Sequence, residues 1–150
     1  MSAYHYTGCG LDNVFIEGSW EGPDHAGEDS ITIPAIGQLH KVIAKGIVMH
    51  PAKMTGQELR FLRTEMGLTQ AELGEILKVK LLTVSRWERN ETRIRDAAEM
   101  LARLLAVDLL GLDVELGVQS VSEQVTDAAQ VQEIRIDGHD RGHYRLLEAA

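Results

Sequence analysis

The chain has a single cysteine, Cys9, so no disulfide can form within it, and a reducing compartment suits it. It has no apolar run long enough to span a bilayer. No basic segment followed by an apolar one opens it, so no secretory signal is read there; a cytoplasmic location and no membrane partner are expected. A nucleotide-binding glycine loop, a G-x-S-x-G elbow and an H-E-x-x-H pair are all missing. His139, Asp140 and His143 do gather near one another, but in a glycine-flanked turn where exposure accounts for them. No enzyme is expected, and no cofactor is called for. Internal repeats and low-complexity tracts are absent as well.

What is present is enough apolar residue, 44% of 150, to bury a core, together with a charge that is unevenly spread. The net charge of -8 is unfriendly to a polyanion. Yet residues 41–103 hold 12 Lys/Arg against 8 Asp/Glu, while the remainder holds 3 basic residues against 15 acidic ones. The middle of the chain is therefore suited to phosphates and the flanks are not.

That basic middle contains the stretch around which the chain is organised, Met54 to Ile94. Thr55 can cap a helix over about Gln57 to Met66, and Gly67 stops it. Thr69 caps the next, with Glu72 three residues on completing a T-x-x-E box. Ala71, Leu73, Ile76 and Leu77 then recur at roughly the helical period. After a turn at Lys78-Val79-Lys80, a third helix is predicted from Leu82 or Thr83, with Val84 and Trp87 inward and Asn90 ending it.

TQAELGEILKVKLLTVSRWERNETRI, residues 69–94, resembles the Cro/phage-repressor (Xre-type) class of helix-turn-helix DNA-binding domains. Thr69-Gln70, Glu72-Leu73, Val79, Val84 and Trp87-Glu88 carry the likeness, in the family's order and spacing. Two positions depart from it: Lys78 stands where the turn commonly has Gly, and Asn90 where Gly often follows the third helix. The resemblance implies double-stranded DNA as partner. It places Leu81, Leu82, Ser85 and Arg86 against base edges in the major groove. Arg86 would reach a guanine, and a leucine would meet a thymine methyl. Gln70 matches a phosphate-contacting position at a helix start, and Lys80, Thr83 and Arg89 are further phosphate candidates. Trp87 is expected in the core. Arg63 and Glu88 match positions that pair between the first and third helices, a structural role rather than a DNA contact.

The flanks read separately. Val14-Phe15-Ile16 and Ser30 to Pro34 look like short strands, joined by an exposed loop over Gly18 to Ser30. Ile36, Leu39, Val42, Ile43, Ile47 and Val48 form one helical stripe that ends before Pro51. Arg95 to Leu112 form a further helix bearing Ala98, Leu101, Leu104, Leu105, Leu109 and Leu110. Val114, Val118, Val121 and Val125 predict an amphipathic helix running to about Ala128. Residues 133–137 and 143–147 predict a β-hairpin.

The expected fold is mainly α: a five-helix lambda-repressor-like core, a small N-terminal β unit, and a C-terminal helix plus hairpin. The expected divisions are 1–37, 38–112 and 113–150, the last for dimerisation. This layout also resembles the MqsA-type antitoxins, whose N-terminal part holds zinc through paired cysteines. No C-x-x-C occurs here, and His5 and Cys9, with His25, His40 and His50 scattered downstream, do not make compact ligand pairs, so no metal is expected.

The function expected is a sequence-specific transcriptional regulator, a repressor or autorepressor, that binds DNA as a homodimer because one short helix reads too few base pairs alone. The alternative is an antitoxin whose acidic flanks bind a basic toxin protein while its helix-turn-helix autoregulates the operon.

Overall fold

Threonines set where two of the helices begin. In the computed structural model, which describes residues 3–18, 33–125, 133–140 and 142–147, Thr55 and Thr69 each accept the backbone N–H of a glutamate three residues on. Glu58 and Glu72 return the bond to the threonine N–H, both at 2.9 Å. These boxes start α2 (Gly56–Glu65) and α3 (Gln70–Leu77). Between them Gly67 takes φ 73°, and Leu68 N–H reaches back to Arg63 O at 3.1 Å, closing the end of α2.

The turn after α3 is made by a lysine. Lys78 adopts φ 62°, ψ 42°, the left-handed region that glycine enters without cost. Val79 N–H then bonds Gly74 O at 2.9 Å, and α4 (Leu81–Glu88) starts one or two residues earlier than the sequence suggests, with Lys80 as its cap. Asn90, at φ 59°, ends it. Both departures from the glycine pattern thus keep the glycine-like backbone. α5 (Asp96–Leu110) ends at Gly111, and α6 spans Val118–Gln124.

The chain divides into two compact units, Met1–Ile43 with Glu133–Ala150, and Ala44–Gln132. α1 (Ile36–Met49) runs across the division. In the first unit β1 (Ala3–His5) pairs antiparallel with β2 (Val14–Glu17), and β3 (Ile134–Asp137) with β4 (Arg145–Leu146). β2 and β3 lie parallel, so strands read at the two ends of the chain share one sheet in the order β1-β2-β3-β4. The second unit is thus inserted, in sequence, between two neighbouring strands. Val14 and Ile16 sit opposite Ile134 and Ile136, all four wholly buried. Gln38 of α1 clamps Tyr144 by its backbone, accepting from N–H at 3.0 Å and donating to C=O at 3.1 Å. Tyr144 Oη donates to Pro34 O at 2.6 Å.

In the second unit Leu59, Leu62, Leu73 and Val84 are fully buried, with Phe61 and Trp87 nearly so. α5 meets this core through its small residues. Its inward face is Ala98, Ala102 and Ala106, with Glu99 and Arg103 between them. Leu101 and Leu109 face outward, 47% and 49% exposed, because the small alanines let α5 approach closely and leave the leucines on its far side. The valine helix differs from the expectation: residues 112–117 are irregular, α6 begins only after Gly117, Val121 is buried and Val118 is 67% exposed. Its expected end near Ala128, most of the 18–30 loop, most of the 30–34 strand and His25 lie outside the described residues; Ile33 and Pro34 are irregular.

Candidate nucleic-acid interface

The position of α4 is set from its inner face. Val84, Trp87 and Glu88 are buried, and the approach of α2 to the end of α4 is so close that only glycine fits at residue 56. A Cβ there would lie 2.3 Å from Trp87 O and 2.6 Å from Glu88 O. Asn90 closes the same junction. Its Oδ1 accepts Gly56 N–H at 2.9 Å, capping α2, and its Nδ2 donates to Gln57 Oε1 at 2.9 Å. The left-handed turn at Asn90 and the start of α2 are therefore one arrangement.

Glu88 is where three helices meet. Arg63 of α2 donates to it twice, Nε to Oε2 at 2.6 Å and Nη2 to Oε1 at 3.0 Å. Gln70, the first residue of α3, adds Nε2 to Oε1 at 3.1 Å. The remaining arm of Arg63, Nη1, donates to Leu68 O at 3.0 Å and so holds the α2–α3 turn. Two parallel N–H···O bonds fix angle as well as distance, so the roll of α4 is tied to α2 and to the start of α3. Half-buried Gln70 has its amide held by Glu88 and its backbone at the positive end of α3. Beside it the Glu72 carboxyl is held below its ordinary pKa, chiefly by the Thr69 backbone N–H and then by the Thr69 hydroxyl.

The outer face of α4 carries what remains. Leu81 and Leu82 are 52% and 50% exposed. Arg86, Lys80 and Lys78 are exposed, Thr83 and Ser85 half-buried. Arg89 is exposed too, paired with Glu91 at 2.8 Å and donating to Ser85 O at 3.3 Å. The structure thus collects Lys80, Leu81, Leu82, Thr83, Ser85 and Arg86 along one short helix and its cap, with Gln70 at the neighbouring helix start. His5 Nε2 lies 2.6 Å from Asp12 O, and among the described residues no three metal-ligating side chains cluster.

A buried polar group was not foreseen. Arg103, 1% exposed, donates to Ile47 O, Val48 O and His50 O at 3.0, 3.0 and 2.9 Å, and to Ala52 O at 2.7 Å. Ile47 and Val48 lie in the last turn of α1, where carbonyls lack helical partners, and His50 and Ala52 lie just beyond it. Glu99 pairs with Arg103 at 2.9 Å and with Lys53 Nζ at 2.9 Å; Lys53 also donates to Ile94 O. Burial, and then the nearby Arg103 charge, lower the pKa of His50 below its ordinary value. The available signal was a Glu-x-x-x-Arg pair on the alanine face of α5, four residues apart and therefore adjacent.

Residues 59–112 match the family model described as helix-turn-helix, from the middle of α2 to just beyond α5. That segment is a Cro/C1-type helix-turn-helix domain. The match covers the turn, both helices flanking it and the Arg63–Glu88 pair, and it makes the chain a DNA-binding transcriptional regulator in the general sense. The helix-turn-helix family is typically not enzymatic. No curated protein and no solved structure matches the chain. Among the described residues no helix is long and apolar enough to cross a membrane.

Proposed function

We propose that the helix-turn-helix domain lays α4 in the major groove of a two-fold symmetric site, one chain per half-site, and represses transcription there. The observation that carries this reading is the outer face of α4, where the exposed Arg86 side chain makes no hydrogen bond or ion pair with a described residue while the inner face is locked by Glu88 and Trp87. In this reading Arg86 meets guanine O6 and N7 with two parallel bonds, and Leu81, Leu82 and Ser85 line the same groove. Gln70, Lys80, Thr83 and Arg89 hold phosphates, Gln70 with the backbone donors that open α3. Arg63 and Glu88 orient the helix and touch no DNA.

Leu101, Leu109 and Val118 support pairing of two chains, since exposed apolar surface of this kind commonly marks a partner face. A two-fold pair would present two α4 helices about 34–36 Å apart. Selection from random duplexes with the full chain should enrich an inverted repeat, and sedimentation should give a dimer that Leu109→Arg weakens. Enrichment of a single unrepeated half-site by a monomer would refute the dimer. The acidic flanks, 3 basic residues against 15 acidic, support a second reading as an antitoxin that also binds a basic toxin. Co-purification of a small basic protein from the same operon would favour it.

A further inference from the structure

The tip of α4 carries two adjacent leucines that the fold does not use. Leu81 and Leu82 are half exposed, whereas Val84 and Trp87 on the same helix are buried. Around them stand Lys78, Lys80 and Arg86, all exposed, with no side-chain hydrogen bond or ion pair to a described residue. Leucine offers no donor or acceptor, so these side chains cannot read the pattern of nitrogens and oxygens on base edges. In the major groove the apolar feature available to them is the methyl at pyrimidine C5, which every thymine has and cytosine has only when modified.

We propose that Leu81 and Leu82 make α4 a reader of C5-methylated pyrimidines, accepting 5-methylcytosine where it accepts thymine and discriminating against unmodified cytosine. This rests on the DNA-binding reading above and names what that site recognises. The competing occupant of the leucine pair is a protein. Charge decides against a basic one, because the three cations beside the leucines would repel it, while a phosphate backbone on either side of the groove neutralises them.

The site selected by the full chain supplies the test. Each thymine of a half-site is replaced in turn by deoxyuridine, which removes the methyl and leaves the hydrogen-bonding edge intact. At the contacted position affinity falls about fourfold at fixed salt, the value of one buried methyl. A C·G pair there binds more weakly than T·A, and 5-methylcytosine opposite G regains about fourfold over C·G. In the double variant Leu81→Ala, Leu82→Ala, with its melting temperature checked against the parent, the thymine–uracil difference disappears. A selected site indifferent to every uracil substitution, or a double variant that keeps the difference, overturns the methyl reading alone. Failure to enrich any duplex overturns the DNA-binding reading with it.

Discussion

Replacing Arg63 with alanine isolates a carboxylate in the middle of the helix-turn-helix. Glu88 has a side chain only 3% exposed, and Arg63 supplies two of its bonds, at 2.6 and 3.0 Å, leaving the Gln70 amide at 3.1 Å. Leu68 O loses its donor as well. A buried charge stripped of its partner costs about 3–5 kcal/mol. Against a total stability of roughly 5–15 kcal/mol that is a large share. At about 2–4 °C per kcal/mol for a chain of this size, the melting temperature should drop on the order of 10 °C. Glu88→Ala should cost a similar amount, because it leaves the Arg63 guanidinium, 15% exposed, without its carboxylate. The double variant should lose far less than the sum, since neither stranded charge remains, with a coupling energy of about 2–3 kcal/mol. Denaturant titration of the four proteins measures it. Additive losses, or an Arg63→Ala cost below about 1 kcal/mol, would refute the reasoning, because the pair would then behave as a solvated surface contact.

Lys78→Gly should stabilise the protein by about 0.5–1 kcal/mol, because the lysine sits at φ 62° where glycine is unstrained; thermal melting reads it. Arg103→Met should cost about 3–5 kcal/mol in a denaturant titration, since four carbonyls lose the guanidinium bond and Glu99, 0% exposed, loses one of its two cations. His50 makes stability pH-dependent: its folded pKa lies below the ordinary 6.5, so the unfolded chain takes up the proton more readily. That contribution is complete above the ordinary value and is lost as pH falls through the lowered one. Melting temperatures on either side of that window should converge in His50→Gln.

The helix-turn-helix was legible because its signals are local. Thr69 with Glu72, the glycine at 67 and the apolar spacing of Leu73, Leu77 and Val84 each act within a turn or two of chain. The Arg63–Glu88 pair is 25 residues apart in sequence and was readable only through the family's positions. What sequence did not disclose is non-local. β2 and β3 are separated by the whole second unit, and two short apolar runs do not announce that they pair in parallel. Nothing in the sequence marks Arg103 as buried, since its acceptors are carbonyls some fifty residues earlier that no side chain advertises. The apolar residues of α5 exceed a single stripe, and their spacing does not say which of them the core takes; Ala98, Ala102 and Ala106 hold that face. Periodicity gives the face of a helix, and size decides which of two apolar faces the core takes.

The central claim is that α4 reads base edges through Arg86, and one measurement addresses it most directly: the affinity of Arg86→Ala for the selected duplex, beside the parent and Gln70→Ala, all at one salt concentration. Loss of a two-bond guanine contact should cost about 1–3 kcal/mol, with preference relaxed at one base pair per half-site. Gln70→Ala should instead weaken selected and random duplexes more evenly, as expected for a phosphate contact. An Arg86→Ala protein that binds the selected duplex as tightly as the parent, with preference unchanged at every position, would contradict the placement of α4 in the groove.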